Sequence, residues 1–179
     1  MMEMLEYNRL ETLYVVNEML KKVEADGLNL DRILPQVLDI AVRQLEAHDG
    51  SIMVVNEDHS VEHAWLSQYS DAEQKSPEFL ETIMNSGVAG WVIRNQYPLV
   101  IADTQNDSRW FPRPEHPTST TPWSVICTPF IIRDRAIGAL TLHKPGQDQF
   151  DDYDLQLLTT ISNQAASSIE NARLYAVSQ

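Results

Sequence analysis

The chain has 179 residues, 43% hydrophobic and 22% charged, which is the material of one ordinary domain with a sizeable core. Its formal net charge of −13 argues against nucleic acid and anionic membrane surfaces as partners, since both are bound through clustered Lys and Arg. One cysteine, Cys127, cannot close an internal disulfide, and no stretch approaches the ~20 apolar residues of a membrane helix, so a reducing cytoplasm is the expected setting.

Residues 1 to about 24 contain no Gly or Pro, and Met2, Leu5, Arg9, Thr12, Val16, Met19 and Val23 recur in alternating steps of three and four. Leu10, Leu13 and Leu20 widen that stripe, predicting a long amphipathic helix of heptad character. "ADGLN" breaks it. A second helix is predicted from about Asp31 to Ala47, with Pro35 near its first turn. "SIMVV" and "VEHAWLS" read as an antiparallel hairpin around "NEDHS". "SPEFLETIMNSG" and "VAGWVIRNQ" read as two short helices, the first opened by Ser-Pro, and "PLVIAD" as a short strand.

Residues 103–123 cannot be regular for most of their length. Asp103, Asn106 and Asp107 are turn formers, and Pro112, Pro114, Pro117 and Pro122 restrict the backbone beyond them. Trp110 and Phe111 are costly to expose, so the segment is expected to be an ordered, irregular cover rather than a linker. "SVICTPFII" and "AIGALTLH" then form a second hairpin around "RDR", and Pro129 predicts an edge or a bulge in its first arm. A long helix over 151–177, capped by Asp151 or Asp152, closes the chain. The order implies an α+β fold, an antiparallel sheet covered on one face by the long helices.

Chemistry-bearing patterns are sparse. Ser119 and Ser124 lack the surroundings of a nucleophile elbow, and the five His residues are scattered without metal-ligand spacing. Cys127 lies mid-strand among Val125, Ile126 and Phe130, where a thiol packs as a small apolar group.

Taken together, "GVAGWVIRNQYPLVIADTQNDSRW", "SVICTPFIIRDRAIGALTLH" and "FDDYDLQLLTTISNQAASSIENARLY", in that order and spacing, resemble a GAF domain of the bacterial signalling type. The likeness covers nearly the whole chain. It implies a central antiparallel sheet of five or six strands, with long N- and C-terminal helices on one face. Short helices and a long loop then cover a pocket on the other. It divides the chain into a signalling or dimerisation helix over 1–26 and a GAF domain over 27–179, with 151–179 as its C-terminal helix. A small-molecule ligand, a homodimer through the terminal helices and a covalently linked output domain in a longer parent protein are the implied partners. That output domain could be a kinase, a cyclase or a transcription-activation domain.

Candidate ligand-contacting residues are Trp65, Trp91, Ile101, Asp103, Arg109, Trp110, Phe111 and Trp123. The alternatives are that the tryptophans fill the core and that Asp103 pairs with Arg109. Against the cyclic-nucleotide motif of related domains, the matching positions here are His143, Lys144, Phe150, Asp154 and Leu155, with His for Asn and Leu for Glu. The structural alternative is a Lys144–Asp154 ion pair, with Phe150 plugging the core. No covalent chromophore is expected, because Cys127 is followed by Thr128 rather than His; His116 and then His63 are the haem-ligand candidates. Reduction of free methionine sulfoxide, known in this family, needs more than one thiol. The expected function is therefore a non-catalytic sensory module, with a ligand-free dimerisation or docking module and a cyclic-nucleotide binder as alternatives.

Overall fold

A computed structural model describes residues 1–25, 29–66, 76–110 and 121–178. Helices α1 (Met2–Ala25) and α2 (Leu30–Gln44) precede the hairpin of β1 (Asp49–Val55) and β2 (Val61–Leu66). Helices α3 (Pro77–Ser86) and α4 (Val88–Asn95) lead to β3 (Leu99–Ile101) and a 3-10 turn over Thr104–Asn106. Strands β4 (Trp123–Ile132) and β5 (Arg135–Pro145) form the second hairpin, and α5 (Asp152–Ser178) ends the chain. The five strands make one antiparallel sheet in the order β2-β1-β5-β4-β3. No helix among the described residues is long and apolar enough to cross a membrane.

Both sheet faces are covered, which explains why β1 is buried at every position instead of alternating. On one face Ile52, Val54, Ile126, Phe130, Leu140 and Leu142 meet the apolar stripes of α2 and α5. Ala165, Ala166 and Ala172 are all buried on α5 and let it lie close to the sheet. There, the Thr128 and Ser162 hydroxyls share a buried hydrogen bond of 2.6 Å. On the other face Met53, Val125, Cys127 and Ala139 pack under Ile83, Met84, Val88, Val92 and Ile93 of α3 and α4.

Local chemistry sets the element ends. Asn29 caps α2, its side-chain oxygen accepting from the Asp31 N–H at 2.9 Å. Because α2 starts at Leu30, Pro35 falls in its second turn rather than its first, and the Asp31 carbonyl loses its helical donor. Asp31 is exposed, so water reaches that end of the helix. Asp151 and Asp154 cap α5 reciprocally, each carboxylate accepting the other's backbone N–H at 2.8–2.9 Å. That N–H draws the Asp151 carboxyl below its ordinary range, whereas burial pushes Asp154 up. The β4–β5 turn places Arg133 and Asp134 at positive φ, the type I′ geometry that matches strand twist.

Pro129 sits beyond the reach of β3, which pairs only with Val125–Cys127, so its missing N–H breaks no ladder there. The register shifts immediately after it, between Phe130 and Ile131. The bulge makes Ile137 the extra residue and brings Ala136 to the α4 side, where its N–H donates to Gln96 Oε1 at 2.7 Å.

Helices α3 and α4 meet so closely at Gly90 that a Cβ there would overlap the Met84 carbonyl. Arg94 donates to that same carbonyl oxygen. Gly90→Ala is therefore expected to cost about 1–3 kcal/mol by forcing the two helices apart. Urea unfolding of the variant checks it.

The first three turns of α1 stand largely clear of the core. Val16 and Leu20 are buried and Leu13 and Met19 partly so, but Met2 and Leu5 of the predicted stripe are exposed. Leu10, expected to widen the predicted stripe, is exposed as well and joins Tyr7 and Tyr14 in a solvent-facing apolar stripe at helical spacing.

Candidate functional site

The candidate site is built where β1 begins, β5 ends and the chain leaves β3. Asp103 caps the 3-10 turn, accepting from the Gln105 N–H at 2.9 Å. Its other oxygen accepts from Asn106 Nδ2 at 2.6 Å and Gln147 Nε2 at 2.8 Å, tying this loop to the β5–α5 connection. The Gln105 N–H and the Gln147 amide hold the Asp103 carboxyl below its ordinary range. Asp103 thus organises the loop, and Arg109 pairs with a nearer carboxylate.

That partner is Asp107. Arg109 Nε and Nη2 donate to its two oxygens at 2.9 and 2.6 Å, and the Arg109 N–H adds a third bond of 2.9 Å. The fork leaves the guanidinium 5.5 Å from the centre of the Trp91 ring. Hydrogen bonds from Arg109 hold Asp107 below its ordinary value of 3.8 and raise Arg109 in return. A depressed carboxylate stabilises the fold above its unfolded pKa, and that contribution is lost as pH falls through the folded value. Acid titration below about pH 4 should therefore loosen the 103–110 segment before global unfolding, read as a shift in tryptophan emission. Asp107→Asn should reduce the early step to the part that Asp103 contributes.

Beneath this segment lies a polar pair. Trp110 stacks edge-on against His143, ring centres 5.4 Å apart. His143 Nδ1 is 3.1 Å from Asp49 Oδ1, and the residues are 1% and 5% exposed. His48 Nδ1 lies 3.7 Å from the same oxygen, and its ring meets Trp123 edge-on at 5.2 Å. Two register pairs further in, Cys127 Sγ and Thr141 Oγ1 are 3.1 Å apart and buried. The Ser124 hydroxyl lies 2.7 Å from the Gly146 carbonyl and accepts the Gln149 N–H at 3.0 Å. Among the described residues no three of His, Cys, Asp and Glu are grouped to hold a metal ion.

The sequence-predicted residues divide. Trp91, Arg109 and Trp110 come together with Asp103 and Trp123 around this end of the sheet, while Ile101 is fully buried in the core beside them. Trp65 does not join them. It lies on the outer strand β2, paired with Ile52 on the α2 side and 37% exposed. Phe111, the proline-rich run after it and His116 lie outside the described residues; His63 sits on β2, within 3.8 Å of Asp31. Lys144 holds its ammonium 6.0 Å from the centre of the Phe150 ring, and its charge also acts on Asp154, whose carboxylate serves the α5 cap.

The sequence places His143 only at a position of the nucleotide motif and singles out neither Asp49 nor the contact between them. They are partners in the β1–β5 register but lie 94 positions apart. The only sequence signal was a charged residue at the start of one strand and a His at the end of another. Two clefts open elsewhere. One of about 990 Å³ runs along β2, and one of about 690 Å³ lies between the β1–β2 turn and the end of α5.

A five-stranded antiparallel sheet with terminal helices on one face, and two short helices plus a tied-down loop on the other, defines a GAF-type α+β domain. The sequence profile of the GAF domain family matches residues 27–170, and the chain belongs to that family. Among solved structures it is similar to the GAF domain of a phosphoenolpyruvate-protein phosphotransferase from Coxiella burnetii, at 19% identity and a TM-score of 0.73 over 95% of this chain and 99% of that one. The A. aeolicus nlh2 GAF domain in an inactive state matches at 18% identity and 0.65, covering 90% and 96%. A free methionine-R-sulfoxide reductase from Neisseria meningitidis, in complex with its substrate, matches at 18% and 0.63, covering 91% and 93%. No curated protein matches the chain.

Proposed function

We propose that the chain is a non-catalytic sensory module. A small molecule bound among Trp91, Arg109 and Trp110 would bias the packing of the terminal helices and so an attached output domain. The observation that carries this reading is the two-sidedness of β4. Val125 and Cys127 belong to the core that includes α4 and Trp110, while Thr128 between them and Phe130 hydrogen-bonds Ser162 of α5. A shift of β4 under the loop is felt directly by the C-terminal helix. The sulfoxide reductase shares the fold, but here the one thiol is fully buried beside Thr141, without a second cysteine to resolve a disulfide. The cyclic-nucleotide reading is weaker, because His143, Lys144 and Asp154 are engaged with Asp49, Phe150 and Asp151.

The exposed Tyr7, Leu10 and Tyr14 stripe supports self-association through α1. Light scattering at micromolar concentration should give twice the chain mass of 20.4 kDa, and Leu10→Glu should halve it. For the ligand, melting is measured with a metabolite panel including cyclic AMP and cyclic GMP. A compound that raises the melting temperature of the native chain but not of Trp110→Ala supports the reading. No shift with any compound would leave the ligand-free dimerisation module instead.

A further inference from the structure

The sheet ends on β2. Strand β1 pairs with one side of it, and no described strand pairs with the other. Open edges are ordinarily blunted by Lys, Pro or a bulge. The sequence of β2, VEHAWL, contains no Lys or Pro, and the register shift of this hairpin is confined to its turn end, between Val54 and Val55.

The cleft of about 990 Å³ follows this edge from Asp58 in the turn to Trp65. That volume is at the upper limit of small-molecule sites, about 300–1,000 Å³, and here it is elongated along a strand rather than enclosed. Its two walls differ in character. Leu80 and Met84 of α3 supply an apolar wall on one side of the strand. On the other side are Asp31 and the exposed Trp65 ring. Among the described residues the carboxylates of Asp31, Asp58 and Glu81 line it against one arginine, Arg94, in a chain of net charge −13.

We propose that the outer edge of β2 docks an extended, basic segment of a partner protein, which adds to the sheet as a sixth strand. Backbone hydrogen bonds supply the register. Alternate Lys or Arg side chains face Asp31 and the Trp65 ring, and the intervening apolar ones lie against Leu80 and Met84, with Glu81 adding negative charge to that wall. Glu62 of the same strand holds Arg173 of α5 at 2.9 Å, so a docked strand touches an element tied to the C-terminal helix. This surface is distinct from the loop over the opposite end of the sheet.

The test uses the full chain and an acetylated octapeptide of alternating lysine and valine, titrated calorimetrically at 0.15 M salt to screen long-range attraction. Two further peptides are methylated on the backbone nitrogen of either all lysines or all valines. The parent peptide should bind, one methylated register should lose affinity about tenfold or more, and the other should retain it. Asp31→Lys/Glu81→Lys, a double change of exposed residues, should weaken the parent peptide about tenfold, and a glutamate–valine peptide should not bind. Absence of binding by the parent peptide overturns the proposal. So do equal affinities for the two methylated registers, or undiminished binding to the charge-reversed variant. A dimer that is lost on Ala64→Pro would assign the edge to a second copy of the chain and overturn it too.

Discussion

Phe130→Ala is expected to lower the unfolding free energy by about 3–5 kcal/mol, read as a lower urea midpoint at unchanged slope. Phe130 is fully buried between the sheet and the helices, among the largest side chains so placed. It stands directly across from Gly138, whose absent side chain leaves room for the ring; a Cβ there would lie 3.0 Å from Phe130 Cδ2. Truncation leaves a cavity toward which Gly138, directly across, has no side chain to contribute. Domains of this size hold about 5–15 kcal/mol in total, so the variant is expected to sit near its folding threshold. Phe130→Leu should recover more than half of the loss, since it restores most of the volume.

Asp49→Ala carries the second large effect, about 1–3 kcal/mol, because it removes the carboxylate 3.1 Å from a nearly inaccessible imidazole. A different outcome is expected when both polar groups go together. The double variant Asp49→Leu/His143→Leu should cost clearly less than the sum of its single changes, since it leaves no buried polar group behind. A strictly additive cycle would mean that the pair does not act as a unit. Asp49→Ala should also disturb Trp110, whose ring rests on His143, so its emission should shift even where the fold persists. That local readout separates support of the loop from general destabilisation.

Much of this architecture was legible in the chain order. The helices announced themselves by their apolar steps, and the long final helix begins where Asp151 caps it. The change of period after residue 48 marked the sheet, and the "RDR" turn marked the β4–β5 hairpin. Such signals are local: each needs only a few neighbouring residues and the backbone geometry they prefer. Their order was enough to place the chain among GAF domains.

The candidate site followed other rules. Arg109 found Asp107 rather than Asp103, because a bidentate fork two residues away costs less order than one further off, and Asp103 was already engaged by Gln105 and Gln147. Trp65 and Trp91 are equally aromatic in the sequence. Alternation along β2 places Trp65 with His63 and opposite Ala64, but only the pairing with β1 determines which of those two faces meets α3. The Asp49–His143 pair required β1 and β5 to meet in one register, across 94 positions that no local pattern connects. The sequence by itself therefore determined the elements, their order and the family, since these depend on short-range propensity and spacing. Only the tertiary structure decided which side chains face one another, since that depends on strand register and on competition among several possible partners for each charge.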